Sequence, residues 1–167
     1  LQPQSGSPRV HRLVHPWVLF RRKQQIKPAS SRSGVAWFVD HSIPTRRMEA
    51  ERDWSDNFRE LSQSRLAPKP TAICLHANDV NAGLHKKLRV LGLPIYTAGN
   101  GASPLFVARF YQIVRNFRWV LSSRFGSHLL FCHELGLETM LVGTPLKESP
   151  NLEHPRGKDE WRESQKA

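Results

Sequence analysis

The stretch that decides the fold is Ser122-Ser-Arg-Phe-Gly-Ser-His-Leu-Leu-Phe-Cys-His-Glu-Leu-Gly-Leu-Glu-Thr-Met-Leu-Val-Gly143. It contains in order a strand end, a turn of small residues, an apolar helix over 126–135, a glycine stop and a strand over 138–142. The first N–H groups of such a helix are unpaired and lie at the positive end of its dipole. The helix start is therefore a place where an anion can bind.

The same alternation of strand and helix runs upstream of this stretch. Apolar runs of strand-forming residues cover 35–39, 71–75, 93–97 and 118–121. Helices are predicted over 47–65, about 80–91 and 104–117, the second of them capped by Asp79 and ended by Gly92. Apolar strands separated by helices predict a parallel sheet covered on both faces. The expected fold class is α/β, a Rossmann-like three-layer sandwich with about five parallel strands, in a single domain with extended tails.

Composition limits the class of protein. The chain has 167 residues, 39% hydrophobic and 23% charged, which is typical of one soluble globular domain. No apolar run can span a bilayer and no signal-peptide pattern opens the chain, so we expect a cytoplasmic protein, with peripheral contact at the inner membrane face as an option. Cys74 and Cys132 lie in apolar segments and are expected to be buried thiols. The start at Leu1 suggests a processed or fragmentary chain.

The net charge of +11 is concentrated at the N-terminus. Residues 1–34 hold seven basic groups and no acidic one, so they are interpreted as a basic arm. Residues 35–146 form the predicted domain, and 147–167 form a polar charged tail. A basic arm can bind an anionic polymer or membrane surface, or simply remain solvated. It carries no nucleic-acid motif, so a nucleic-acid partner is not expected.

Small, polar or ionisable residues follow each of the first four predicted strands. In an open parallel sheet the carboxyl ends of the strands form the ligand-binding edge. The residues expected there are His41, His76, Gly99, Asn100, Ser122, Ser123, Gly126, Ser127 and His128. Because loops are polar in general, this pattern alone fits both a binding edge and ordinary turns.

Glu134 lies seven residues after Ser127, on the same face of an otherwise apolar helix. A carboxylate in such surroundings is costly to bury without a partner. It is therefore exposed to solvent, paired with an arginine or histidine, or bound to hydroxyl groups of a ligand.

The chain lacks the common signatures of metal, nucleotide and hydrolase sites. No HExxH or CxxC spacing, Walker loop, GxGxxG or Gly-x-Ser-x-Gly elbow occurs, so no metal is expected. His41 and His76 remain candidates to neutralise a phosphate or to act as acid or base. Each could equally be a strand-end histidine bonded to the backbone.

Several short motifs resemble the nucleotide-sugar-binding half of GT-B-type glycosyltransferases, in particular those of bacterial capsule and surface-polysaccharide synthesis. The motifs are 72–79, 92–100, 106–111 and 122–128 with 134–136, within a resemblance that covers about 35–146. In that family the turn and helix start hold the donor phosphates, a Glu like Glu134 contacts the ribose or sugar, and a His like His41 or His76 faces the phosphate or serves catalysis. The resemblance implies no bound metal, because in such enzymes the helix dipole and basic side chains stabilise the leaving phosphate. It implies no other cofactor either, since the sugar nucleotide is a substrate.

The resemblance implies a glycosyltransferase-like domain that binds a sugar nucleotide in surface-polysaccharide synthesis. The acceptor would be a polysaccharide or a lipid-linked sugar, and the acceptor-binding half would lie in a second domain or chain. Two alternatives stay open. One is a non-enzymatic basic module that binds an anionic polymer or membrane surface, and the other is a sugar-nucleotide epimerase-like enzyme.

Overall fold

The computed structural model describes residues 14–42, 46–49, 54–144 and 147–150. The helices in these ranges are α1 Pro16–Lys23, α2 Trp54–Gln63, α3 Ala77–Asn81, α4 Leu84–Leu88, α5 Phe106–Val114 and α6 Ser127–Glu134, with a 3₁₀ turn at Arg89–Leu91. The strands are β1 Val35–Phe38, β2 Arg46–Glu49, β3 Ala72–Cys74, β4 Ile95–Tyr96, β5 Trp119–Ser122, β6 Glu138–Leu141 and β7 Lys147–Pro150.

Five of the strands form one parallel sheet in the order β4-β3-β1-β5-β6. The central strand β1 pairs through Ala36 with Ala72 of β3 on one side and with Val120 of β5 on the other. Counted along the chain, this is the order 3-2-1-4-5 of doubly wound nucleotide-binding sheets. The predicted α/β class and five-stranded parallel sheet are confirmed.

The strands are apolar on both faces, and each face is covered by helices. Side chains alternate along a strand, so Val35 and Trp37 of β1 enter one core cluster while Ala36 enters the other. The first cluster also contains Leu61 of α2 with Leu84 and Leu88 of α4. The second contains buried residues of three helices, namely Val18 of α1, Phe110, Tyr111 and Val114 of α5, and Leu129, Phe131 and Cys132 of α6. The three layers are thus helices, sheet and helices.

α1 belongs to the sandwich, although the sequence placed residues 1–34 outside it. Val18 is 8% exposed and Ile26 is 6% exposed, and both are part of the core cluster under α5 and α6. The helix begins at Pro16, a residue suited to the first helical position, and the Nδ1 atom of His15 accepts a hydrogen bond from the Trp17 N–H at 3.2 Å. The part of the arm before residue 14 lies outside the described residues.

The helix expected over 47–65 is wrong in its first part. Residues 46–49 form β2, which pairs antiparallel with β7, and the helix begins only at Trp54. The β2–β7 pairing joins segments about 100 residues apart and overrides the local helix prediction. β7 also gives strand structure to the first residues of the predicted 147–167 tail, the remainder of which lies outside the described residues.

The helix expected over 80–91 is broken into α3, α4 and the 3₁₀ turn. The break is at Gly83, whose φ of +83° is left-handed and cannot continue an α-helix. The predicted cap is also different, because the Nδ1 atom of His76, rather than Asp79, accepts the Asn78 N–H at the start of α3. Gly92 ends the segment as expected, with a φ of +67°.

Cys74 and Cys132 are buried free thiols, as the sequence predicted. Burial raises the pKa of the Cys74 thiol to about 12 and raises that of Cys132 as well, with Cys74 as a second cause. Among the helices in the described ranges, none combines the length and apolarity required to cross a membrane.

Candidate functional site

A cavity of about 150 Å³ lies at the carboxyl ends of β1, β3 and β4, between α5 and the start of α6. Most of its lining is apolar or aromatic: Trp17, Phe38, Val39, Cys74, Leu75, Tyr96, Ala98, Phe106, Phe110, Ile113 and Val114. Its polar lining residues are His41, His76, Thr97, Ser127 and His128. An apolar cavity with a few converging polar groups at this edge of a parallel sheet has the usual composition of a small-molecule site.

The aromatic wall of the cavity is held together by Trp17 of α1. Its ring lies 5.4 Å from the ring of Phe106, 5.6 Å from that of Phe110 and 4.6 Å from that of Phe131, between centroids. Such tilted contacts stabilise aromatic clusters beyond the area they bury. Docking of α1 therefore builds one wall of the site.

His41 and His76 come from neighbouring strand ends and lie against each other. Their ring centroids are 4.8 Å apart with an angle of 26° between the planes, a stacked arrangement. The pKa of His76 is lowered, first by burial and then by the nearby His41, while the charge of Asp79 acts in the opposite direction. His76 is thus favoured as a neutral imidazole near pH 7.

His128, in the first turn of α6, stacks on Phe38 with 4.8 Å between ring centroids and 18° between planes. Burial, and to a lesser extent His41, lowers the pKa of His128 to about 4, whereas Asp40 acts in the opposite direction. Its Nε2 atom is buried and has no hydrogen-bond partner among the described residues. The histidine therefore lines the cavity in its neutral form.

The start of α6 is open for a ligand. Gly126 is the N-cap residue and offers no side chain to the free N–H groups of the first turn. A Cβ atom at this position would lie 2.8 Å from two atoms of the His128 ring, so only glycine leaves room for that ring. Ser127 is exposed at the first helical position and lines the cavity.

Ser122 and Ser123 have internal partners. The Ser122 hydroxyl is buried and donates to the Arg124 carbonyl oxygen at 2.9 Å. The Ser123 hydroxyl donates to Oδ1 of the buried Asp40 at 2.6 Å, which ties the end of β5 to the end of β1. Neither serine lines the cavity, so the structure gives them the role of shaping the turn.

Gly99 and Asn100 follow β4 but lie beside the cavity rather than in its lining. The Gly99 N–H donates to the Thr97 hydroxyl at 3.0 Å, and Oδ1 of Asn100 accepts the Ala102 N–H at 2.9 Å. Gly99 has a φ of +87°, and a Cβ there would lie 3.3 Å from a terminal nitrogen of Arg109. These contacts are those of a tight turn, from which Thr97 and Ala98 face the cavity.

Glu134 is paired with arginine, one of the three alternatives that its apolar helix left open. Arg21 of α1 donates to both of its carboxylate oxygens, at 2.7 and 2.6 Å, and Arg22 adds a contact at 3.2 Å. Glu134 lies at the far end of α6 from Ser127 and does not line the cavity. The structure therefore gives it the role of docking α1, and not the ligand contact implied by the family resemblance.

The strand-end pattern identifies the histidines and Ser127 but not the aromatic wall. Phe106 and Phe110 lie within the helix predicted over 104–117, and Trp17 lies within the basic arm of residues 1–34. Phe38 lay within a predicted strand. The sequence feature that points to this wall is the presence of aromatic residues in the segments next to the polar strand ends, since large rings are a common lining of ligand pockets.

The three histidines of the cavity do not form a metal centre. In the described part of the chain, no group of three or more His, Cys, Asp or Glu side chains is arranged so that it could hold a metal ion.

Comparison of the chain with protein-family models, with curated proteins and with solved structures gives no match.

Proposed function

We propose that this chain is a glycosyltransferase-like domain that binds a sugar nucleotide in the cavity at the carboxyl edge of the sheet. The observation that carries the proposal is the convergence of His41, His76 and His128 with the open start of α6 on one apolar cavity. The strand order supports it, because doubly wound sheets with this order bind nucleotides at this edge.

The two kinds of lining match the two parts of a nucleotide. The base is planar and can stack on the aromatic wall formed by Trp17, Phe38 and Phe106. The phosphates are anionic and suit the N-terminus of α6, where the Ser127 hydroxyl and the first backbone N–H groups are available. His41 and His76 lie on the same cavity, and the N–H of the neutral His76 ring can donate a hydrogen bond to the phosphate or the departing diphosphate.

Transfer of the sugar requires a group that accepts the acceptor's proton. His41 is our candidate for this base, because its Nδ1 atom faces the Ser42 carbonyl oxygen and its Nε2 atom is left to accept a proton. The helix dipole and the histidines stabilise the leaving nucleotide without a metal. The polysaccharide or lipid-linked acceptor would be brought by a second domain or chain, in surface-polysaccharide synthesis on the cytoplasmic face of a membrane.

The packing of α1 weakens the alternative of a basic module that binds an anionic polymer. Arg21 and Arg22 are two of the seven basic groups of the arm, and both are bonded to Glu134. These two positive charges are therefore paired within the domain.

Calorimetric titration with UDP-, CMP- and GDP-sugars tests the proposal. We expect one class of donor to bind, and we expect His128→Phe, which keeps the ring stacked on Phe38 but removes its nitrogens, to weaken binding at least tenfold. His133→Ala is the matched control, because His133 is exposed in the last turn of the same helix. Absence of binding by every donor to folded protein contradicts the proposal. Conversion of the free donor without an acceptor would assign the site to an epimerase instead.

A further inference from the structure

The loop after β1 is bound to α3 through the backbone of Ser42. Oδ1 of Asp79 accepts the Ser42 N–H at 3.1 Å, and Nδ2 of Asn78 donates to the Ser42 carbonyl oxygen at 3.2 Å. Two adjacent residues of α3 thus bind both polar groups of one peptide segment. Asp79 is only 4% exposed, so its bond lies in a region where an acceptor without a partner is costly.

The hydrogen bonds to Ser42 are linked to both histidine rings of the cavity. Nδ1 of His41 lies 3.2 Å from the Ser42 carbonyl oxygen that Asn78 holds. Nδ1 of His76 accepts the backbone N–H of Asn78 at 3.3 Å. Asn78 therefore contacts one ring directly and orients the other through Ser42, and the two rings meet at 4.8 Å.

We propose that Asn78 and Asp79 are positioning residues of the site, which bind the Ser42 backbone from both sides and thereby stack His41 on His76. Their importance for ligand binding rests on the proposed function, but the positioning itself can be tested without ligand.

The hydrogen bonds also assign different tautomers to the two rings. A carbonyl oxygen only accepts, so neutral His41 carries its proton on Nδ1 and has Nε2 as a base. His76 uses Nδ1 as an acceptor, so its neutral form carries the proton on Nε2 and can donate it. The stacked pair thus offers one nitrogen that can accept a proton, on His41, and one N–H that can donate a hydrogen bond to a phosphate, on His76.

Two substitutions of Asp79 separate positioning from simple charge effects. Asp79→Asn keeps an oxygen that can accept the Ser42 N–H but removes the charge that raises the pKa of His76. We therefore expect this variant to keep the stack and to lower the pKa of His76. Asp79→Ala removes the acceptor and releases the loop. This variant loses the same charge, but release of the loop also relieves burial and the contact with His41, the two larger causes that lower the pKa of His76, so the net change is expected to be a rise.

The experiment is an NMR titration of the histidine ring signals of the ligand-free full chain, assigned with His41→Gln and His76→Gln. Opposite directions of the His76 pKa change in the two Asp79 variants, with loss of the ring-current shift of His41 only in Asp79→Ala, support the proposal. Equal lowering in both variants would show that Asp79 acts by charge alone and overturn it, as would an unchanged His41 signal in Asp79→Ala.

Asn78→Ala keeps the test decisive if Asp79→Ala does not fold. It removes the bond to the Ser42 carbonyl but retains the backbone N–H that contacts His76. We expect the His41 ring signal to move toward its value in unfolded protein while the melting temperature changes little, whereas an unchanged signal contradicts the proposal. Asn116→Ala is the control, because Asn116 also donates from its side chain to backbone carbonyls, but at the end of α5. Failure of sugar nucleotides to bind would leave these results intact and would count only against the proposed function.

Discussion

At the scale of single residues, His128 shows how burial sets the chemistry of the site. Its ring is stacked on Phe38, and burial lowers its pKa to about 4. The unfolded chain takes up a proton at this position near the ordinary histidine pKa of about 6.5. The folded protein therefore binds fewer protons than the unfolded chain between these values, and its stability falls as the pH decreases through this window.

This difference predicts a measurable acid sensitivity. Between pH 7 and pH 4.5, we expect wild-type protein to lose roughly 2 to 3 kcal/mol more free energy of unfolding than His128→Phe, which has no proton to take up. Urea unfolding at the two pH values measures both losses, and groups that do not interact with His128 contribute equally to both proteins. Identical losses would mean that His128 is not kept neutral by the fold.

At the scale of elements, the start of α6 depends on the absence of a side chain at Gly126. A methyl group there would lie 2.8 Å from the His128 ring and force it to move. Gly126 has an extended backbone, so the effect is one of space alone.

We accordingly expect Gly126→Ala to displace the His128 ring and to reduce its ring-current shift from Phe38 in NMR spectra. Binding of the sugar nucleotide should weaken at least tenfold in the same variant. Gly101→Ala provides the comparison, since no atom lies within 4 Å of a Cβ at Gly101 and its φ is not left-handed. Equal behaviour of the two variants would count against this view of α6.

The ion pair of Arg21 with Glu134 joins α1 to the end of α6. Both side chains are largely covered, at 16% and 24% exposure, and the bond is bidentate. Removing one partner leaves the other covered and without its counter-charge, so Glu134→Ala should lower the free energy of unfolding by about 2 to 3 kcal/mol.

Glu138→Ala is the matched control for Glu134→Ala. Glu138 also pairs with an arginine, Arg118, but both side chains are exposed, so we expect a loss of about 0.5 kcal/mol. Urea unfolding gives both values, and a similar small loss in the two variants would show that α1 docks by apolar contacts alone.

An element could be predicted from the sequence when the residues that determine it are neighbours in the chain. Three strands of the parallel sheet were predictable because 35–38, 72–74 and 119–121 are continuous apolar runs. The packing of α1 was not, because the basic residues Arg21, Arg22 and Lys23 make its last turn look solvated and its partner Glu134 is 113 residues away from Arg21. β2 was missed for the same reason, since its partner strand lies near the other end of the chain.

At the scale of the whole molecule, the topology explains why residues at one edge of the sheet could be grouped from the sequence while their individual contacts could not. Parallel strands place all their carboxyl ends at one edge, so His41, His76 and Ser127 could be grouped from the sequence. Which side chains at that edge face the cavity depends on hydrogen bonds within each turn. Ser123 is bonded to Asp40 and Asn100 to its own turn, and no sequence pattern reveals such bonds.

The central claim is that a sugar nucleotide binds in the cavity beside α6, and NMR spectra of the histidine side chains test it most directly. During titration with the donor that binds in calorimetry, we predict that the signals of His41, His76 and His128 shift together with one apparent affinity. Those of His85 and His133, which do not line the cavity, should stay in place. Unchanged signals of all three cavity histidines at saturating donor would contradict the account.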